Sequence, residues 1–148
     1  EEFMSELRSR ALPYPGVFYV FDLNNLKVTN DTYGHKAGDI ILKQAAACIS
    51  KVFQDHGRVF RIGGDEVVAF IQAPFPELPD YAAQLEKEIE TMNSSCEYPF
   101  TLSIGWDASD MIIGKEIDTT LKQADDDMYK NKIKYRAKEM QKNKKILE

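Results

Sequence analysis

Apolar residues follow two rhythms along the chain. From Val17 to Leu23 (VFYVFDL) they run almost unbroken, β-branched and aromatic, which predicts a strand buried on both faces. Asp22 interrupts that run near its end. Between Ala37 and Gln54 they recur instead at Ile40, Ile41, Ala45, Cys48, Ile49 and Val52, the spacing of an amphipathic helix, closed by Asp55, His56 and Gly57. The same two signatures place strands over Arg58–Ile62, Glu66–Gln72 and Phe100–Trp106, and helices over about Asp80–Met92 and Glu116–Met140. Residues Glu1 to Arg10 read as a short amphipathic helix that ALPYPG breaks, since two prolines and a glycine cannot continue it. NNLKVTNDTYGH predicts one or two short helical turns, APFPELPDY a proline-rich connector, and QKNKKILE a charged, frayed tail. The predicted order is β-α-β-β-α-β with flanking helices, an α+β fold of the split βαβ or ferredoxin-like kind, with no internal repeat. Residues 1–148 are therefore expected to form a single domain. In that topology the first strand and the two hairpin strands neighbour one another at the centre of the sheet.

Composition narrows the function classes. A net charge of −5 argues against a protein that grips nucleic-acid backbones, which needs a basic face. A nucleotide substrate stays open, because a metal ion and a few local lysines can supply the positive field. Cys48 and Cys96 both fall in segments that read as helices, so the expectation is two small buried thiols rather than a disulfide or a metal pair. That favours a reducing, cytoplasmic setting. No apolar run reaches membrane-spanning length and no signal peptide opens the chain, so no membrane contact is expected from this segment; any membrane anchor belongs to a longer protein.

The chemistry concentrates in RIGGDEVVAFI, Arg61 to Ile71. Gly63 and Gly64 suit a tight hairpin, because glycine accepts positive φ without a steric cost. Asp65 and Glu66 stand where a buried strand begins, and buried charges are costly unless paired or bound to a metal. The turn alone fits a hairpin with two solvated acids as well as it fits a metal site. Asp22 tips the balance, since the topology lets it meet Asp65 and Glu66 across the strands. Three carboxylates form a hard-oxygen site suited to magnesium, with manganese the alternative, and His35 and His56 are too isolated from the cysteines to favour zinc. Past Asp22, the LNNLK stretch offers backbone N–H groups at a helix start and one nearby cation, Lys27, for phosphate oxygens. Asn30 and Asp39 carry groups suited to a purine edge. Plainer roles fit equally: Lys27 as a surface lysine, Asn30 and Asp31 as helix caps, Asp39 as a first-turn carboxylate favoured by the dipole. Lys132 and Arg136, one turn apart on the last helix, read from spacing as a solvated face.

FDLNNLKVTNDTYGHKAGDIIL, RIGGDEV, TLSIG and ADDDMYKNKIKYR, in that order, resemble the GGDEF domain of bacterial diguanylate cyclases, over nearly the whole span from Val17 to Arg136. The resemblance implies a fold like the polymerase palm. It gives Asp22, Asp65, Glu66 and the Leu23 carbonyl to magnesium, and lays Gly63 and Gly64 under bound GTP. Asn30 and Asp39 would read guanine, with His35 near the nucleoside. Lys27 would contact the triphosphate and stabilise transition-state charge, and Lys132 and Arg136 would bind phosphate. Four departures stand out. Val67 replaces the motif's Phe, Asn24 a frequent Asp, and Tyr135 the glycine before Arg136. The family's N-terminal Asp-x-Leu-Thr-Gly-Leu segment is missing, which suggests a fragment of a longer protein without its sensory domain. The inhibitory product site of many relatives, Arg-x-x-Asp, corresponds here to QDHG, with Gln54 for the arginine and Gly57 for the aspartate.

The reaction so implied condenses two GTP into cyclic di-GMP and two pyrophosphates, each ribose 3′-OH attacking the α-phosphorus of the other nucleotide. Asp65 is the candidate proton acceptor. One domain holds one GTP, so two must face each other in a transient, symmetric homodimer. The competing reading is a catalytically silent, GTP-binding regulatory module. A purely structural ferredoxin-like domain leaves the converging carboxylates without a purpose.

Overall fold

The computed structural model describes residues 16–63, 66–72, 80–109 and 117–147. The expected helix over residues 1–10, the break that follows it, most of the proline-rich connector, and Gly64 and Asp65 of the hairpin lie outside the described residues. In chain order the elements are β1 (Gly16–Leu23), α1 (Leu26–Tyr33), α2 (His35–Phe53), β2 (Gly57–Gly63), β3 (Glu66–Gln72), α3 (Tyr81–Asn93), β4 (Leu102–Ser109) and α4 (Ile117–Leu147). The four strands form one antiparallel sheet in the order β2-β3-β1-β4. The α+β architecture is the one the sequence predicts, with one correction. β1 and β3 are central, but β2 lies at the edge, because β3 pairs with its hairpin partner on one side and with β1 on the other.

Alternation along β1 decides what each face of the sheet buries. Val17, Tyr19, Phe21 and Leu23 point into the larger core, with Ile41, Ile49 and Phe53 of α2 and Leu85 of α3. Phe18 and Val20 point the other way, packing with Val68 and Phe70 of β3 and Ala124 and Met128 of α4. Side chains alternate with period two, so Asp22 falls on the α4 face. The four-residue step that buries Ala124 and Met128 brings Lys132 next, and it too is buried. α4 lies so close to β4 that a Cβ on Gly105 would sit 2.0 Å from the Met128 nitrogen. Side chains of α4 also bond the backbone of this edge strand: Asp127 Oδ2 accepts from the Trp106 N–H (3.1 Å), and Asn131 Nδ2 donates to the Ile104 carbonyl (2.6 Å).

Four local expectations are corrected. α2 begins at His35 rather than Ala37, straight after Gly34, whose φ of 92° separates the two helices. Ile40 is exposed, because the buried stripe runs through Ala37, Ile41, Ala45, Cys48, Ile49 and Val52, and a residue one step before Ile41 is turned off it. Cys96 lies beyond the end of α3 and is half-buried rather than buried, its thiol donating to the Tyr98 carbonyl at 3.3 Å; Cys48 is buried, and both are free thiols. The tail expected to fray is helical to Leu147. Its Lys and Gln residues are good helix formers, and Lys144 and Lys145 in the last turn complement the dipole.

Candidate active site

The site gathers at the C-terminal end of β1. There the sheet register sets Asp22 directly opposite Glu66, the first residue of β3, and cross-strand partners share a face. From α4, the Lys132 ammonium donates to Asp22 Oδ2 at 2.7 Å and to the Leu23 carbonyl at 3.2 Å. Only 10% of the lysine side chain and 16% of the aspartate side chain is exposed. The solvated face that spacing suggested for Lys132 is thus overturned; Arg136, one turn on, is exposed. A carboxylate oxygen and a backbone carbonyl already share one cation, here an ammonium, so this donor set fits a hard divalent ion. The hairpin adds a register shift between Arg61 and Gly63, and Gly63 pairs with Glu66. Among the described residues no three acidic, histidine or cysteine side chains gather tightly enough to hold a metal, and Asp65, the third carboxylate expected here, is not among them.

After Leu23 the chain is turned off the sheet by Asn24. Its N–H donates to the Thr101 carbonyl (3.0 Å), its Nδ2 to Thr101 Oγ1 (3.0 Å), and its Oδ1 accepts from Ser103 Oγ (2.7 Å). An amide side chain both donates and accepts, which a carboxylate cannot do. Asn25 then takes a left-handed conformation (φ 61°) and caps α1. Its Nδ2 donates to the Tyr135 hydroxyl at 3.2 Å, tying the turn to α4, and α4 runs on past this departure from glycine without a break. Lys27 is exposed in the first turn of α1.

The guanine-reading candidates sit where α1 meets α2. Asn30 is inside α1 and Asp39 in the second turn of α2, so neither has the capping or first-turn role that spacing allowed. Asn30 Oδ1 is buried and has no hydrogen-bond partner among the described residues. It lies 1.9 Å from where a Cβ on Gly38 would be, so the absence of that carbon is what admits the carboxamide. Asp39, the next residue, is exposed, as is His35 at the start of α2. Sequence reasoning missed Gly38, although a glycine inside a helical pattern costs about 1 kcal/mol relative to alanine and so signals a packing reason. At the stretch corresponding to the relatives' product site, Gln54 ends α2, and a Cβ on Gly57 would meet the Phe70 carbonyl oxygen at 2.0 Å.

A family model described as "Diguanylate cyclase, GGDEF domain" matches residues 1–138. The chain is 34% identical over 116 residues to diguanylate cyclase DgcS of Shewanella oneidensis, which covers 76% of this chain but only 38% of that protein. The chain thus spans well under half the length of that relative. Among solved structures, the GGDEF domain of YfiN (TpbB) from Pseudomonas aeruginosa superposes with a TM-score of 0.77 at 23% identity, covering 90% of this chain and 89% of that one. The GGDEF domain of DgcB from Caulobacter crescentus, solved in complex with c-di-GMP, gives a TM-score of 0.72 at 23% identity over 88% of this chain and 82% of that one. At those identities the two structures speak for the fold.

Proposed function

The chain belongs to the GGDEF domain family, and from that premise we propose that it is the catalytic domain of a diguanylate cyclase, condensing two GTP into cyclic di-GMP and two pyrophosphates. The observation that carries the reading is that Asp22 Oδ2 and the Leu23 carbonyl share one cation beside the glycine hairpin, with Glu66 opposite Asp22 in the sheet register. Asp22, Asp65, Glu66 and the Leu23 carbonyl would hold magnesium, or manganese in its place. When bound, the metal lowers the pKa of the attacking 3′-hydroxyl and offsets charge on the triphosphate.

The chain's own residues do the rest. Asn30 Oδ1, buried without a partner among the described residues, accepts from a guanine donor, and Asp39 accepts beside it. His35 lies by the nucleoside. Gly63 and Gly64 let the nucleotide approach the hairpin backbone. The N–H groups opening α1 and the Lys27 ammonium hold the triphosphate, joined by Arg136 and Lys132. Asp65 takes the proton of the 3′-hydroxyl. One domain positions one GTP, so a transient homodimer sets two nucleotides face to face, and that positioning is a large part of the rate enhancement. We read the chain as one domain of a longer, cytoplasmic-facing protein whose sensory part controls the pairing. Among the described residues no helix is long and apolar enough to cross a membrane.

Asp65→Asn tests this. The variant should keep the wild-type melting curve and form no cyclic di-GMP, whereas Glu66→Gln should lose turnover and keep GTP binding. Unchanged turnover in Asp65→Asn refutes the metal assignment.

A further inference from the structure

Two of the oxygens assigned to the metal are the two that Lys132 occupies. Its Nζ lies 2.7 Å from Asp22 Oδ2 and 3.2 Å from the Leu23 carbonyl, in a pocket that leaves the residue 8% exposed. A magnesium ion takes such oxygens at about 2.0–2.1 Å. An ammonium at hydrogen-bond distance from the same atoms would face a dication in a poorly solvated place, where like charges repel strongly. The two cations therefore compete for these oxygens.

We propose that Lys132 is the resident counter-ion of these two oxygens and that it makes metal and nucleotide load together. This rests on the reading of Asp22 and Leu23 as metal ligands. For metal alone to enter, the ammonium must leave its carboxylate, and the acids assigned beside it, Asp65 and Glu66, are the metal's own ligands. A triphosphate changes that balance. Lys132 has a flexible four-carbon stem and three donors, and it lies one turn from the exposed Arg136, so an arriving triphosphate gives the displaced ammonium a new partner. Nucleotide then raises the site's affinity for metal, and by reciprocity metal raises its affinity for nucleotide. The nucleotide-free protein is kept metal-poor by its own lysine.

The test uses Mn2+ as a spin probe, with free ion read by electron paramagnetic resonance in the absence of nucleotide. Lys132→Met, which keeps a long stem and removes the charge, should bind Mn2+ at least tenfold more tightly than the wild-type chain. Adding Asp22→Asn to that variant should abolish the gain. Equal Mn2+ affinity in the wild type and Lys132→Met, with binding that still depends on Asp22, overturns the coupling and leaves the metal site standing. Binding indifferent to Asp22 overturns the metal assignment itself. A second measurement needs no variant. In a lysine-selective 15N spectrum of the wild-type chain, the protected Lys132 ammonium signal should persist in millimolar Mg2+ alone and move when Mg2+ is joined by a non-hydrolysable GTP analogue. Its loss in Mg2+ alone contradicts the proposal.

Discussion

Gly38→Ala separates folding from base recognition. An ideal Cβ at residue 38 falls 1.9 Å from Asn30 Oδ1, 2.9 Å from its Cγ and 3.2 Å from its Nδ2. All three atoms belong to the far end of one side chain, so the fold accommodates the methyl by rotating the Asn30 carboxamide away. Alanine stabilises a helix interior by about 1 kcal/mol over glycine, and an off-rotamer side chain costs about 0.5–1.5 kcal/mol. These terms nearly cancel, so urea unfolding should give a stability within about 1 kcal/mol of wild type. Binding should not be spared. Losing one neutral hydrogen bond from Asn30 to guanine costs about 1 kcal/mol, roughly a fivefold weaker grip on a non-hydrolysable GTP analogue by calorimetry. If the lost bond is to the exocyclic amine, the corresponding inosine analogue, which lacks that amine, should lose much less. An unchanged GTP-analogue affinity in a folded Gly38→Ala protein refutes the reasoning, and so does a destabilisation above about 3 kcal/mol.

Further outcomes follow from the same geometry. Asp22→Asn leaves the Lys132 ammonium buried without its carboxylate, so the metal-free protein should lose about 3 kcal/mol in urea unfolding; a loss under about 1 kcal/mol would mean that the pair is solvated. Equimolar GTP and ATP should give cyclic di-GMP alone, because Asp39 would face the acceptor nitrogen of adenine; comparable yields of the mixed GMP–AMP product overturn that role. Calorimetry with cyclic di-GMP, the active site being filled by a GTP analogue, should find no binding beside Gln54 and Gly57, where neither charge of the relatives' product site is present. Gly57→Asp should destabilise the sheet rather than create that site, since its Cβ would meet the Phe70 carbonyl at 2.0 Å.

What the sequence discloses depends on how local the cause is. β1 and β3 are legible because runs such as VFYVFDL and VVAFI carry their burial in their own composition, and the pairing of Asp22 with Glu66 follows from topology and register. The motifs mark the candidate residues, yet not how those residues are held. Lys132 reads as a solvated lysine because its burial comes from the approach of α4 to β1, across 110 residues of chain from Asp22. Asn24 reads only as a replacement for a frequent Asp, because its three partners, on Thr101 and Ser103, lie 77 and 79 residues away along the chain. Gly38 shows itself only as a helix glycine, and its reason lies on a neighbouring helix. Ile40 passes for core because a helical stripe is wide enough in sequence to admit a residue that packing turns outward.

The most direct test of the central claim is the product formed when the purified 148-residue chain is incubated with GTP and Mg2+, resolved by mass. The account predicts cyclic di-GMP with two pyrophosphates per product, and an initial rate that rises with the square of protein concentration while dimers are scarce. GTP that is bound but returned unchanged at every protein concentration, under conditions where two domains pair, contradicts the account and makes the chain a regulatory GTP-binding module instead.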